Sequence, residues 1–546
     1  MITELHITNF KCFKEEFILP LNKGINILVG NNEAGKTTIL EAIDLVLTGQ
    51  YRGKSIKHDL SQYLFNYESV KEYILSLDTE DKKAPPSISI EIYFENEIYP
   101  IFMGDDNSKK DNKACGVRLD IAFNEKFIEE YATLVSNGLR TLPLEFYDIT
   151  WTSFARSYII PRSIPINCAF IDSSNIKSRN NTDLLLSRII KEYLDDKDIV
   201  NLTQAFRQLQ ELFQTNESIS LLNSKITESC DLSIKKIKLG VDMNSRSAWE
   251  EFLTPYLDEI PFIFIGKGEQ AVVKTQLSLA NKTANRADII LIEEPENHLS
   301  HTRLNCLLKS ISDNCVEKQV IITTHSSYVA NKLGLQNLIL LNNQNHFRLD
   351  ELSTSTASYF KKLPGFDTLR IILSDSAILV EGASDELIIQ KAYMKYHQGR
   401  LPIEDGIDVI SVNNLSFTRF LEISKALELK TTVVTDNDGN IEALKRKYKE
   451  FEGYSNIKIC YDSIIAENNK IDGQSFNYNT LEPIILRNNS LELLNRIFEK
   501  SYSCQEELLK YMKANKVECA LRIFEYSGDD FKFPQYINDA VNIMYE

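Results

Sequence analysis

The 546-residue sequence predicts an α/β protein with two parallel-sheet units and a helical segment inserted into the first. Short apolar runs alternate with amphipathic stretches before and after residue 362, which favours parallel strands joined by helices. Between residues 180 and 230, apolar residues recur at helical spacing instead. The nine cysteines are scattered without a Cys-x-x-Cys pair, so a zinc-stabilised fold is not expected.

Charge and hydropathy narrow the classes of function. The 77 acidic and 61 basic residues give a formal charge of −16, which argues against a protein that coats nucleic acid through overall basicity. A local basic groove is not excluded. No apolar run approaches the roughly 18 residues of a membrane-spanning helix, and the N-terminus shows no signal peptide. We therefore expect a cytoplasmic protein that makes no contact with a membrane.

The elements follow from local patterns along the chain. Strands are expected at 2–10, 24–30 and 87–94, and a helix at 37–47. After the helical segment, further strands are expected at 289–292, 320–322 and 338–341, followed by a polar connection over 342–362. The second unit has strands at 377–380, 408–412 and 431–435, and the chain from residue 491 onward reads as helical.

A phosphate-binding loop follows the strand at 24–30. The residues Gly30 to Thr38 fit G-x-x-x-x-G-K-[ST], and they lie between a buried strand and an amphipathic helix, as this loop requires. Backbone N–H groups and the helix N-terminus would hold phosphates, Lys36 would bind the β- and γ-phosphates, and Thr37 would bind Mg²⁺. The residues expected to contact ATP here are Asn31, Asn32, Glu33, Ala34, Gly35, Lys36, Thr37 and Thr38.

Two further strand ends complete a nucleotide-hydrolysis site. The apolar run 289–292 ends in Glu293, expected to hold Mg²⁺, and Glu294, expected to polarise the attacking water. The run 320–322 ends in Thr-Thr-His-Ser, and its His325 can reach a γ-phosphate. Together with the phosphate loop, these residues predict an ATPase.

These motifs resemble those of the ABC-type ATPases of the SMC and recombination-repair group. The family carries a signature loop before the Glu293 strand that completes the ATP site of a partner subunit. The matching position is Gly266-Lys267-Gly268-Glu269-Gln270, where Gly266 stands in place of the usual serine. The resemblance implies that Gly266 and Gly268 offer N–H groups to a γ-phosphate. Glu293 also departs from the family, which more often has aspartate there.

A second set of acidic residues follows two strands of the second unit. Glu381 ends the strand at 377–380, and Asp436 and Asp438 follow the strand at 431–435. Because parallel strands end at one edge of a sheet, these carboxylates should lie within a few ångströms of each other. Carboxylates so close together repel, and their hard oxygens favour Mg²⁺ or Mn²⁺ between them.

The pattern Glu-Gly-x-x-Asp followed by Asp-x-Asp resembles the Toprim domain of topoisomerases, primases and certain nucleases. In two-metal hydrolysis, one ion activates water and the other stabilises the leaving oxygen. The resemblance assigns Glu381, Asp436 and Asp438 to the first ion, and Asp385 with a later acid to the second.

The motif order resembles the OLD (overcoming lysogenisation defect) family of ATP-dependent nucleases. The resemblance implies Glu482 as the later acid and Lys516 as a cation that offsets charge on the reacting phosphate. It also implies domain limits: an ABC-type ATPase domain at 1–178 and 231–362, a helical dimerisation insertion at 179–230, and a Toprim nuclease domain with a helical tail at 363–546.

The OLD resemblance implies ATP-controlled, metal-dependent cleavage of DNA by a homodimer or larger homo-oligomer. Members commonly serve in anti-phage defence, alone or with a partner such as a helicase or a retron reverse transcriptase with its msDNA. One alternative stays open: an SMC-like or recombination-repair-like ATPase clamp whose Toprim domain is only structural. A topoisomerase or primase would need additional modules for which the C-terminal third has no room.

Overall fold

A computed structural model describes the chain from residue 1 to 545 apart from several gaps. The residues outside it are 32, 96–99, 173–193, 230–238, 241–254, 281–285, 298, 315–316, 343–344, 349–350, 357, 359–369, 372–373, 413–415, 467–469, 472 and 546.

The strands and helices of the described part are numbered in chain order. The strands are β1 (Ile2–Thr8), β2 (Phe17–Pro20), β3 (Ile25–Gly30), β4 (Gln50–Tyr51), β5 (Lys54–Ser55), β6 (Ile88–Phe94), β7 (Cys115–Phe123), β8 (Tyr147–Ser153), β9 (Tyr158–Ile159), β10 (Cys168–Asp172), β11 (Tyr256–Leu257), β12 (Ile260–Pro261), β13 (Ile289–Glu293), β14 (Gln319–Thr324), β15 (Leu338–Asn342), β16 (Asn345–Arg348), β17 (Ser376–Val380), β18 (Ile407–Ser411), β19 (Lys430–Val434), β20 (Ile457–Cys460), β21 (Lys470–Ile471) and β22 (Gln474–Ser475). The helices are α1 (Lys36–Thr48), α2 (Tyr67–Ser76), α3 (Ile128–Ser136), α4 (Asp196–Gln214), α5 (Glu217–Ser229), α6 (Lys267–Ala280), α7 (His301–Asn314), α8 (Ser327–Leu333), α9 (Ala383–Tyr396), α10 (Phe417–Ala426), α11 (Ile441–Tyr448), α12 (Leu481–Asn488), α13 (Leu491–Phe498), α14 (Gln505–Ala514), α15 (Lys516–Glu525) and α16 (Gln535–Tyr545).

Three larger sheets organise these elements. The first is antiparallel, in the order β2-β1-β6-β7-β8-β9. The second has the order β10-β13-β14-β3-β15-β16 and is parallel except for β16. The third is parallel, in the order β18-β17-β19-β20. In both parallel sheets, the carboxyl ends of neighbouring strands therefore meet at one edge.

Helix α1 packs between the first two sheets. Its Ile39 and Ile43 are fully buried in one cluster with Ile90 of β6 and Leu291 of β13. The indole N–H of Trp151 on β8 donates to the carbonyl of Val46, at 3.0 Å. The helix that begins at the phosphate loop is therefore fixed on both sides.

The other face of the second sheet shares a core with the third. Ile292 and Ile322 belong to the same buried cluster as Leu379 of β17 and Phe420 of α10. Asn342 at the end of β15 donates to the carbonyl of Leu427, at 2.8 Å. Helices α12 to α16 cover the opposite face of the third sheet, in a cluster that includes β17. The two parallel-sheet units thus pack directly against each other.

The expected strands are present, with ends that differ by at most two residues from the pattern. The prediction that 342–362 is only a polar connection is wrong, because β16 lies within it. Its strand pairs with β15, and its Phe347 is 8% exposed. One apolar residue among polar ones is too weak a pattern to reveal such a strand.

Part of the predicted helical insertion is described. Helices α4 and α5 fall within 179–230, and residues 173–193 lie outside the described part. Leu209, Leu212 and Phe213 on α4 are exposed. The domain limits and the dimerisation role stay predictions. None of the described helices has the length and apolar character that crossing a bilayer requires.

Candidate functional sites

The phosphate loop turns sharply between β3 and α1. Gly35 precedes α1 with φ of 88°, and a Cβ there would lie 2.6 Å from the ring of Phe13. A Cβ on Gly30 would lie 2.3 Å from the carbonyl oxygen of Leu341. Both positions therefore require glycine, one for its backbone angle and both for space. Glu33 also has a positive φ, of 71°. Ala34 lies in the same turn, and Thr38 lies in the first turn of α1. The predicted contact Asn32 lies outside the described residues.

Lys36 is held inside this loop. Its ammonium donates to the carbonyls of Gly30 and Asn31, both at 2.8 Å, and the residue is 6% exposed. Burial lowers the pKa of Lys36 to about 8, while Glu294 and Glu296 oppose that shift. A phosphate bound in the loop would provide this ammonium with an anionic partner in place of the two carbonyls.

The two residues predicted to bind the nucleotide's Mg²⁺ are in direct contact. The hydroxyl of Thr37 at the start of α1 donates to Glu293 Oε1 at the end of β13, at 2.5 Å. Both oxygens are hard ligands of the kind Mg²⁺ prefers. This pair fits the ion that ATP carries.

Glu294 and His325 also meet at this edge. Glu294 has a φ of 40°, and its carboxylate lies 3.2 Å from His325 Nε2 and accepts from Asn297 at 2.8 Å. Burial and Lys36 lower the pKa of His325, against the pull of Glu294. The predicted water-polarising acid and the predicted γ-phosphate sensor are thus adjacent.

Glu296 connects these elements, although the motif analysis assigned it no separate role. Its Oε1 accepts from the Thr324 hydroxyl at 2.6 Å and from the N–H groups of His325 and Ser326 at 2.8 and 3.2 Å. Its Oε2 is buried without a hydrogen-bond partner among the described residues. Burial raises the pKa of Glu296. The Glu-Glu-Pro-Glu spacing was the only sequence signal for this contact.

The predicted signature loop lies at the start of α6. Gly266 precedes the helix and accepts from the N–H groups of Glu269 and Gln270, while Gly268 lies in the first turn. Within the described residues, no hydrogen bond joins either glycine to the phosphate loop. The role of this loop in a partner's ATP site stays a prediction.

A second group of acidic residues lies at the carboxyl edge of the third sheet. Glu381 follows β17, and Asp436 comes two residues after the end of the neighbouring β19. Glu381 Oε1 accepts from the Thr435 hydroxyl at 2.7 Å and from the Asp436 N–H at 3.1 Å. Glu381 thus points toward Asp436, as the parallel-sheet argument predicts.

Asp385 and Glu482 join this group from two helices. Burial, followed by the charges of Glu381 and Glu482, raises the pKa of Asp385 to about 7. Burial and then Glu381, Asp385, Glu482 and Asp438 raise the pKa of Asp436 well above its ordinary value. Each of these carboxyl groups therefore lies in the negative potential of the others, which disfavours its ionised form.

Lys516 supplies a cation to the group. Its ammonium lies 3.0 Å from Glu482 Oε1, and Glu482 is 5% exposed. Burial lowers the pKa of Lys516, but Glu482, Asp436 and Asp385 outweigh it, so the pKa is raised. Lys516 lies at the N-terminus of α15 and Glu482 on α12, so the helical tail completes the site.

Asp438 lies at the wall of an open cavity of about 370 Å³ that Glu381 and Asp436 also line. Its φ is 46°, and its Oδ1 accepts from Asn477 at 2.9 Å. Among the described residues, no three His, Cys, Asp or Glu side chains are placed so as to hold one ion together. Glu381 accepts hydrogen bonds from Thr435 and Asp436, and Glu482 pairs with Lys516. The metal roles of these residues stay predictions.

Comparison with known proteins assigns both units. A model of an AAA domain matches residues 4–251, and a model of an AAA domain (putative AbiEii toxin, Type IV TA system) matches 265–331. A model of the TOPRIM domain of overcoming lysogenization defect protein-like proteins matches 372–438, a range that contains Glu381, Asp385, Asp436 and Asp438. The predicted fold class is confirmed.

Two curated relatives and one solved structure are similar to this chain. The OLD nuclease of Thermus scotoductus is 24% identical and is matched over 80% of this chain and 82% of its own. The Old nuclease of Escherichia phage P2 is 22% identical, over 82% of this chain and 79% of its own. The SMC head domain from Thermotoga maritima covers 63% of this chain and 96% of its own at 14% identity, with a TM-score of 0.29. The chain thus matches models of an AAA domain and of an OLD-like TOPRIM domain, and it is similar to OLD nucleases over most of its length.

Proposed function

We propose that this protein is an ATP-hydrolysing, divalent-metal-dependent DNA endonuclease in which the AAA domain controls a TOPRIM cleavage site. The observation that carries the proposal is the meeting of Glu381, Asp385, Asp436 and Glu482 with Lys516 at the edge of the third sheet. Mutually repelling carboxylates, half-buried or buried beside one ammonium, are suited to holding cations against a phosphodiester.

The donor set favours Mg²⁺ or Mn²⁺ over softer metals, because every candidate ligand is a carboxylate oxygen. Glu381, Asp436 and Asp438 would hold one ion, and Asp385 with Glu482 a second. When bound, such ions supply an activated water and stabilise the leaving oxygen. Lys516 would then face the charge that develops on the reacting phosphate.

The AAA domain would hydrolyse ATP with residues already in contact. Lys36 and the loop N–H groups would bind phosphates, and Thr37 with Glu293 would bind Mg²⁺. Glu294 would polarise water, and His325 at 3.2 Å would sense the γ-phosphate. In a homodimer, Gly266 and Gly268 would complete the partner's site, and exposed apolar residues on α4 would contribute to association.

The biological setting proposed is anti-phage defence in the cytoplasm, in line with the OLD resemblance. A helicase or a retron reverse transcriptase with its msDNA would be the partner class. Supercoiled plasmid and phage DNA are therefore the first substrates to test.

The experiment is a nicking assay on supercoiled plasmid with Mg²⁺ or Mn²⁺, with and without ATP, and ATP hydrolysis measured in parallel. Wild type should nick, and Asp436→Ala and Glu381→Ala should not nick while keeping ATPase activity. ATP hydrolysis without any cleavage by wild type would refute the nuclease proposal and favour the non-nucleolytic clamp. Equal nicking by wild type and Glu381→Ala would reject the assigned TOPRIM site.

A further inference from the structure

Helix α11 forms one wall of the cavity that Glu381, Asp436 and Asp438 line. The cavity residues on and before this helix are Asn440, Ala443, Leu444, Lys447 and Tyr448, spaced i, i+3, i+4, i+7 and i+8. This spacing places them on one face of the helix. The acidic residues therefore face one side of α11 across the cavity.

Lys447 brings a positive charge to this wall. Its ammonium lies 5.2 Å from the ring centre of Tyr448 and 6.0 Å from that of Phe417. It makes no ion pair with any acidic residue that the structure describes. Because an acidic cavity repels a polyanion, a nearby cation without a fixed acidic partner is what a phosphate-bearing ligand needs.

Tyr448 adds a buried polar group to the same wall. The residue is 2% exposed and lines the cavity. Its hydroxyl lies near that of Thr435 but makes no hydrogen bond of normal geometry with any described residue. Neighbouring Thr435 directs its own hydroxyl to Glu381. Buried hydroxyls usually have partners, so an unsatisfied one at a cavity wall indicates a group that arrives with a ligand.

We propose that Lys447 and Tyr448 bind the phosphodiester backbone of the DNA strand that enters the cavity. The Lys447 ammonium contacts one phosphate, and the Tyr448 hydroxyl donates to a phosphate oxygen beside the acidic group. This inference rests on the proposed nuclease function and names the surface through which an acidic protein holds its substrate. A volume of about 370 Å³ suits a segment of one strand better than a duplex.

The test compares three variants of the full chain: Lys447→Ala, Tyr448→Phe and the control Lys445→Ala. Lys445 is exposed on the same helix and does not line the cavity, so its replacement removes the same charge elsewhere. Nicking kinetics on plasmid are measured together with binding of a fluorescent DNA oligonucleotide over a salt series. ATP hydrolysis and the melting temperature report whether each variant folds.

Lys447→Ala should raise KM for DNA about fivefold or more and reduce the slope of log affinity against log salt by about 1. Lys445→Ala should leave KM and the affinity within twofold of wild type. Tyr448→Phe should lower kcat/KM several-fold with a nearly unchanged melting temperature, because it removes only a hydroxyl that makes no well-formed hydrogen bond within the protein. Equal effects of Lys447→Ala and Lys445→Ala, or wild-type behaviour of Tyr448→Phe, would overturn the inference.

The binding measurement separates this inference from the proposed function. If wild type binds the oligonucleotide without nicking any DNA, the nuclease proposal fails, and the ranking of the three variants in binding still decides the role of α11. Tighter binding of an RNA of the same sequence, lost in Lys447→Ala, would overturn the assignment to DNA.

Discussion

Asp44 on α1 should make the AAA domain less stable as the pH rises from 4 to 7. Burial, with a further contribution from Glu41, raises the pKa of Asp44 from 3.8 to about 7. The folded state therefore binds a proton that the unfolded state has already released in this range. Because the folded protein binds more protons, the free energy of unfolding falls with rising pH.

The size of this effect follows from the two pKa values. The interval from 3.8 to about 7 corresponds to about 4 kcal/mol at most, all of it lost above pH 7. Asp44→Asn keeps the shape of the side chain and cannot ionise. The variant should match wild type near pH 4 and exceed its thermal unfolding midpoint progressively up to pH 8.

The assay is thermal unfolding of wild type and Asp44→Asn at several pH values between 4 and 8. Asp78→Asn is the matched control, because Asp78 is exposed and its replacement removes the same charge. A difference between Asp44→Asn and wild type that does not grow with pH would refute the reasoning. So would an equal gain in Asp78→Asn.

Three further predictions concern the sites. Lys36→Ala should abolish ATP hydrolysis, because the loop loses its buried ammonium, and nucleotide binding measured by fluorescence should fall with it. Asn31 in the phosphate loop donates a hydrogen bond to Asp375 before β17, at 2.6 Å. Asn31→Ala removes this exposed contact between the two units, which is worth about 1 kcal/mol. The substitution should therefore reduce the effect of ATP on nicking about fivefold. Lys516→Ala leaves buried Glu482 without its ion pair and should lower nicking at least tenfold with unchanged ATPase activity, whereas Lys516→Arg should recover part of it.

The local motifs of the nucleotide site could be predicted because each one is encoded by a short segment of the sequence. The strand before Gly30, the helix after Gly35 and the acidic end of β13 follow from apolar periodicity and loop chemistry. The contact of Thr37 with Glu293 joins residues 256 positions apart. It was expected because both residues are assigned to the Mg²⁺ that ATP carries, and the structure brings them together because β3 and β13 end at the same edge of one parallel sheet, with β14 between them.

The rest depends on packing that a single sequence does not contain. Glu482 and Lys516 lie on helices with no local pattern that marks a site, so only the family resemblance indicated them. The contact of Asn31 with Asp375 depends on how the two sheets share a core, and no periodicity encodes that arrangement. The Tyr448 hydroxyl likewise becomes visible only when the cavity wall is complete.

Glu296 provides the sharpest test of how the AAA site is positioned. Its Oε1 accepts three hydrogen bonds from the segment that carries His325, and its raised pKa shows that burial disfavours the charged form. A positioning role needs the acceptor oxygen, whereas a role in moving protons needs the carboxyl group itself. Gln retains the oxygen and lacks the acid.

Glu296→Ala should therefore lower kcat for ATP hydrolysis about tenfold with little change in KM, because three donors lose an acceptor worth about 1–3 kcal/mol and His325 is no longer held. Glu296→Gln should keep ATPase activity within about threefold of wild type, since its amide oxygen can accept the same bonds. Steady-state ATPase kinetics separate the two roles. Equal losses in both variants would show that the ionisable group matters, because the acceptor oxygen alone would then be insufficient to keep His325 beside Glu294.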